Sequence, residues 1–208
     1  MEDIVTDFLC GFDSFQKDVN PQLLEKLRET QNPKALVIAC SDSRVDPAIL
    51  FSCSPGDIFV IRNVANIVPR YTPGSSIHGV SAAIEYAIVY LNVSHIILLG
   101  HSNCGGIASL YTEVKGEFIG PWVNILREVK EDIDVVYADL SEEERRRCCE
   151  MEAMRVSYSN LKTFPFIHER LKTGTLSLHT WFFDLRDAKL VHLDMEQELP
   201  IDILFDTL

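Results

Sequence analysis

Ala35-Leu36-Val37-Ile38-Ala39-Cys40-Ser41-Asp42-Ser43-Arg44 is the stretch from which the fold is read. Five consecutive apolar residues, bounded by Pro33 on one side and by Ser/Asp on the other, predict a strand buried on both faces. The strand hands over to a thiol, a carboxylate and a guanidinium within five residues. Open α/β sheets bind ligands at this carboxyl edge.

Two further strands follow from the same pattern. Pro55-Gly56 marks a turn, and Asp57 to Arg62 reads as the second strand. Ser94 to Gly100 reads as a third, again without alternation. Between them Ser75 or Ser76 can cap a helix reaching about Leu91, with Val80, Ala83, Ile84, Ala87, Ile88 and Leu91 as its apolar stripe. Strands separated by such a helix imply a right-handed crossover and a parallel sheet. Residues 175–184 read as another strand, Asp187-Ala188 as a turn, and Leu190 to Leu193 as a strand pairing back antiparallel. The expectation is an α/β fold. Its central, mostly parallel sheet has four parallel strands plus an antiparallel edge strand, flanked by helices.

The remaining segments are helical. Ile4, Val5, Phe8, Leu9, Phe12 and Phe15 line one face over residues 3–18, and Pro21 opens a short helix through Leu27. These two precede any strand, so residues 1–30 read as an arm on a single domain spanning 1–208. Such an arm packs on a second subunit or on its own domain. Further helices are predicted from Ile107 to about Val114 and from Pro121 to Ile133. Ser141-Glu142-Glu143-Glu144 is a capping-box start for a helix to about Thr163, followed by a turn of helix to Leu171.

Composition narrows the class. Of 208 residues, 47% are apolar, which indicates a packed globular chain. The net charge of −12 argues against binding nucleic-acid phosphates or anionic membranes. No apolar run is long enough for a transmembrane helix, and the start lacks the basic region of a secretory signal. Six cysteines do not form a disulfide framework at this length, so a cytoplasmic chain with reduced thiols is expected.

The second chemical signal is His101-Ser102-Asn103-Cys104-Gly105-Gly106, just after the third strand. Parallel strands deliver Cys40 and the His101/Cys104 pair to one sheet edge. Two thiolates and an imidazole suit Zn²⁺. Amides at Gly105 and Gly106 would favour a thiolate at Cys104. Against this, a cysteine at a strand end is usually a small buried hydrophobe, and His-x-x-Cys pairs occur by chance. Matching strand ends tip the balance to a metal site. Asp42 and Arg44 alone would be an ordinary surface ion pair.

Together with Arg62-Asn63-Val64-Ala65-Asn66, these two motifs resemble the β-class carbonic anhydrases, in order and spacing, over about residues 31–110. The resemblance implies a zinc enzyme interconverting carbon dioxide and bicarbonate, with one Zn²⁺ per subunit. It implies Cys40, His101 and Cys104 as ligands, and water or hydroxide in the fourth position. Asp42 and Arg44 match the family's dyad, which orients that hydroxide. In a closed form of some members Asp42 itself becomes a metal ligand. Gln31, Phe59, Val64 and Tyr86 match the plant-like subclass, where they line the substrate pocket, Gln and Tyr reaching in from the partner subunit; Gly105 is placed beside it. The implied assembly is a homodimer or a dimer-based higher homo-oligomer. Alternatives are a hydrolase of CS₂ or COS on the same scaffold, and a non-catalytic zinc-binding module.

Other residues take structural readings. Cys148-Cys149 lies on a charged helix, with at most one in the core. Cys10 and Cys53 read as packing residues. His78 could shuttle protons but reads as an exposed loop residue, while His95, His168, His179 and His192 read as structural. Glu142 to Arg147 reads as a solvated face, and the end from Asp202 to Leu208 carries no motif.

Overall fold

The computed structural model describes residues 3–74, 77–112 and 116–196, and the chain divides into two compact units between Asn32 and Pro33. Ser75, Ser76, Val114 and the stretch 202–208 lie outside the described residues.

The first unit holds two helices. Asp3 caps α1 (Ile4–Asp18), its carboxylate accepting from the Val5 amide at 3.1 Å. Asn20 caps α2 (Pro21–Glu29) in the same way, with Pro21 in the first turn, where a missing N–H leaves nothing unpaired. The α1 stripe forms as its spacing predicts, yet Ile4, Val5, Phe8, Leu9, Phe12 and Phe15 are 47% to 70% exposed. Cys10, read as a packing residue, is exposed too.

The second unit carries the sheet. In chain order its elements are β1 (Ala35–Cys40), α3 (Pro47–Leu50), β2 (Ile58–Asn63), α4 (Gly79–Glu85), β3 (His95–His101), α5 (Gly105–Ala108), α6 (Ile119–Val123), α7 (Arg127–Val136), α8 (Glu142–Lys162), α9 (Pro165–Lys172), β4 (Ser177–Asp184) and β5 (Lys189–His192). The five strands lie in the order β2-β1-β3-β4-β5. The first four are parallel and β5 runs antiparallel at the edge, as expected.

All six residues of β1 are buried, which explains its unbroken apolar run. Leu36 and Ile38 face a core shared with Ile84, Ile88, Met154 and Phe164. Val37 and Ala39 face the other side, with Ile97 and Leu99. Each fully buried Leu or Ile here contributes roughly 1.5–3 kcal/mol. Gly100 in β3 allows α8 to approach, because a Cβ there would collide with the Met154 side chain.

Several helix limits differ from those predicted. His78 caps α4, its Nδ1 accepting from the Ser81 amide at 3.4 Å, and its ring stacks on Trp122. The helix then widens into a single π-turn over Tyr86–Tyr90, closed by Leu91 N–H donating to the Tyr86 carbonyl at 3.0 Å. Helix α5 starts at Gly105, directly after Cys104, and tightens into a 3₁₀ turn at Ser109–Tyr111. The helix predicted from Pro121 begins at Ile119 and is interrupted by a 3₁₀ turn at Asn124–Leu126 before α7.

The capping box of α8 forms as predicted. Both Cys148 and Cys149 are buried, because α8 lies between two apolar clusters and adjacent positions each find one. Among the described residues, no helix is long and apolar enough to cross a membrane.

Candidate metal centre

Cys40 closes β1 and His101 closes β3, its neighbour in the sheet. Asn103 then takes φ +55°, which turns the chain so that Cys104 stands at the cap of α5. The ligand atoms of Cys40, His101 and Cys104 all lie within 4.8 Å of one another, and all three residues are buried. The two sulfurs are 3.9 Å apart. A tetrahedral zinc with bonds of about 2.3 Å to sulfur needs about 3.8 Å between them.

The imidazole supplies a second test of fit. His101 Nδ1 donates to the Ser102 carbonyl at 2.9 Å, which leaves the lone pair on Nε2. That Nε2 is buried without a hydrogen-bond partner among the described residues. A buried unpaired acceptor costs about 1–3 kcal/mol unless a cation or donor takes it. The contact between the two sulfurs lowers the pKa of Cys40 and, together with burial, raises that of Cys104. The Ile107 and Gly106 amides, the latter expected from the sequence, favour the Cys104 thiolate and oppose this. The donor set suits zinc with one position open.

Backbone closeness matters behind Cys104. A Cβ on Gly106 would sit 2.7 Å from Val64 Cγ1 and 2.9 Å from Ala65 Cβ. The short turn after β2, with Ala65 at φ +62°, therefore packs against the start of α5.

Asp42 and Arg44 form a bidentate pair beside the cluster. Arg44 Nε donates to Asp42 Oδ1 at 2.9 Å and Nη2 to Oδ2 at 2.7 Å, and the Arg44 amide adds a third bond. The Arg44 guanidinium holds the Asp42 carboxyl far below the usual carboxylate range. Arg44 Nη2 also donates to the Asn103 carbonyl at 3.1 Å, joining the two ligand loops. Arg62, expected at the end of the second strand and within a motif, donates to the Cys40 and Asp42 carbonyls and to the Asp46 carboxylate.

A buried polar group behind the second loop was not legible in the sequence. The Cys104 amide donates to Glu150 Oε1 at 2.9 Å. Ser102 Oγ donates to Asp184 Oδ1 at 3.2 Å and accepts from the Leu185 amide at 2.8 Å. Arg147 lies between the two carboxylates, 3.0 Å from Asp184 and 3.6 Å from Glu150. Burial pushes the Glu150 carboxyl up to about 7. Arg147 therefore leaves the solvated face assigned to Glu142–Arg147. The one signal available was Glu150 between Cys149 and Met151 at the middle of a helix.

The expected pocket residues divide into two places. Val64 is beside Gly106, next to the cluster. Phe59 pairs with Leu36, four residues before Cys40, and so stands about 13 Å along the strand from it. Tyr86 is with Phe59, their ring centroids 6.0 Å apart. Gln31 belongs to the first unit and is exposed. His95 and His179 pair with each other at 3.2 Å through their ring nitrogens.

Comparison with known proteins gives consistent matches. A family model described as carbonic anhydrase matches residues 35–190. The chain is 39% identical to β carbonic anhydrase 3 of Arabidopsis thaliana over 191 residues, 88% of this chain and 74% of that one. It resembles the solved structure of the β-carbonic anhydrase CcaA with a TM-score of 0.86 and 33% identity, covering 92% of this chain and 96% of that one. It also resembles one of two tetrameric β-carbonic anhydrases of the ascomycete Sordaria macrospora, with a TM-score of 0.77 and 31% identity, covering 91% and 93%.

Proposed function

The chain belongs to the β-class carbonic anhydrases, and on that premise we propose that it catalyses CO₂ + H₂O ⇌ HCO₃⁻ + H⁺ at the Cys40/His101/Cys104 centre, with Asp42 and Arg44 as its working dyad. The convergence of two sulfurs and an unpartnered imidazole nitrogen within 4.8 Å carries this reading. Zinc held by these three residues would act as a Lewis acid, lowering the pKa of a coordinated water from about 15.7 to about 7.

The dyad supplies direction. Asp42 is kept ionised by Arg44, so its carboxylate only accepts hydrogen bonds. A nucleophile bearing one proton, bonded to Asp42, then turns its lone pair away from the carboxylate and toward carbon dioxide. Glu150 and Ser102 hold the backbone of the second loop and touch no reacting atom. Val64 borders the substrate. A non-catalytic zinc module would want a fourth strong ligand, and Asp42, the acidic candidate in the motif, is engaged by Arg44 on both oxygens.

Assembly completes the pocket in this reading. The exposed apolar face of α1 suits burial against a second copy of the chain, in a homodimer or a dimer-based homo-oligomer. Gln31, Phe59 and Tyr86 then serve the partner's centre. The free thiols fit the cytoplasm.

Stopped-flow measurement of carbon dioxide hydration by zinc-replete protein tests the proposal. Turnover far above buffer is expected at about pH 8.5. Background rates there, with turnover of CS₂ or COS instead, would replace hydration by the hydrolase reading.

A further inference from the structure

Resting on that reading of Asp42, we propose that Arg62 is a positioning residue: it clamps the backbone from Cys40 to Asp42 onto β2 and so keeps the Asp42 carboxylate with Arg44. Arg62 stands on β2 opposite Ala39, the residue before Cys40. Its Nε donates to the Cys40 carbonyl at 3.0 Å and its Nη2 to the Asp42 carbonyl at 2.7 Å. Its Nη1 donates to Asp46 Oδ2 at 2.7 Å. The other oxygen of Asp46 caps α3, accepting from the Ala48 amide at 2.9 Å and the Ile49 amide at 3.3 Å. One guanidinium thus pins the chain from Cys40 to Ile49.

Holding a carbonyl fixes ψ of its residue. At Cys40 and Asp42 those angles set where the chain, and with it the sulfur and carboxylate, points. The Ser41 amide adds a bond to the Asn63 carbonyl at 2.8 Å, and the Val45 amide donates to the Asp42 carbonyl at 3.2 Å, but the Val45 bond lies within the loop and moves with it, whereas Arg62 ties Asp42 to the sheet. The Asp42–Arg44 pair is bidentate, but its guanidinium is half exposed and is itself carried by the same loop, so the tie to the sheet comes from Arg62. A rotated Asp42 would meet the metal cation as an alternative partner for its charge. Arg62 has the shape for the task, since its planar fork reaches two carbonyls and a carboxylate at once. Lysine offers a single point charge and cannot span them.

The experiment is a double-mutant cycle of Arg62→Ala and Asp42→Asn in the zinc-replete protein. Arg62→Ala is expected to lower kcat/KM at least tenfold with zinc content unchanged, and the double variant to be no worse than Asp42→Asn. A second readout uses cobalt-substituted protein and azide, followed by the visible absorption of the metal. Azide should bind at least tenfold more weakly in Arg62→Ala, because Asp42 then takes the open position. Adding Asp42→Asn should restore azide binding. Multiplicative losses in the double variant, or Arg62→Ala within twofold of wild type in both readouts, would overturn the clamp. Wild-type activity in Asp42→Asn would instead sink the reading of Asp42 itself. Should Arg62→Ala fail to fold, Arg62→Lys keeps the charge facing Asp46 and carries the same cycle with smaller losses.

Discussion

The two loops that supply the candidate metal ligands are held in different ways. In the first loop Asp42 and Arg44 are partly exposed, and the loop is tied by guanidiniums, Arg44 on the Asp42 carboxylate and Arg62 on the backbone. In the second loop His101, Ser102 and Cys104 are buried and are tied by buried carboxylates, Ser102 on Asp184 and Glu150 on the Cys104 amide. Exposed charged ties contribute little to stability and can reorganise. Buried ties are expensive to break, since each lost partner leaves an uncompensated group. On the function proposed above, the first loop orients a reacting group and the second holds a ligand still.

Substitutions should separate these roles. The largest effect belongs to Cys104→Ala, which removes one candidate ligand from the second loop. Zinc content by metal analysis should fall to near zero, and hydration should fall to background. Retained stoichiometric zinc in that variant would contradict the ligand set. Asp42→Asn comes next: turnover should drop by about 10²–10³, the cost of losing one preorganised hydrogen-bonding group, while zinc content and thermal stability stay as in wild type. A large fall in Tm would mean that the first loop is structural after all.

Glu150→Leu tests the second loop from behind. It leaves the buried Cys104 amide without its acceptor and Arg147 with Asp184 alone, so denaturant unfolding should show a loss of about 1–3 kcal/mol. Faster release of zinc to a chelator should accompany it. An unchanged midpoint would show that the buried group does not brace the second loop.

The smallest effect concerns the Asp42–Arg44 pair and pH. The folded Asp42 carboxyl is held below its ordinary value, so the pair's stabilisation is fully present above the unfolded carboxylate range and fades as pH falls through the folded value. Wild type minus Arg44→Gln should therefore be a constant difference of at most about 1 kcal/mol from roughly pH 5 upward, shrinking below roughly pH 4. A difference that grows toward acid would reverse the sign and remove Arg44 as the cause.

Legibility followed the same division. The unbroken apolar runs at 35–39 and 96–99 marked buried parallel strands, because a strand covered on both faces has no polar side to alternate with. Cys40, Asp42 and Arg44 were readable because they are close in sequence, as were His101 and Cys104. Arg147, Glu150 and Asp184 were not, because they come from α8 and β4 and meet the second loop only after the sheet is assembled. Phe59 and Val64 are five residues apart and looked like one pocket. The pairing of Phe59 with Leu36 and of Asn63 with Cys40 puts them at opposite ends of β2.

Residue order alone determined the sheet's composition and direction, the capping box of α8, and the candidate ligands, since each depends on a local period or on neighbours within a few positions. Folding in three dimensions decided that both Cys148 and Cys149 are buried, that Glu150 reaches the Cys104 amide, and that Arg62 spans from β2 to the loop after β1. Those contacts join residues 20 or more positions apart. No local pattern encodes them, because the partner of a buried polar group is fixed by which elements pack together.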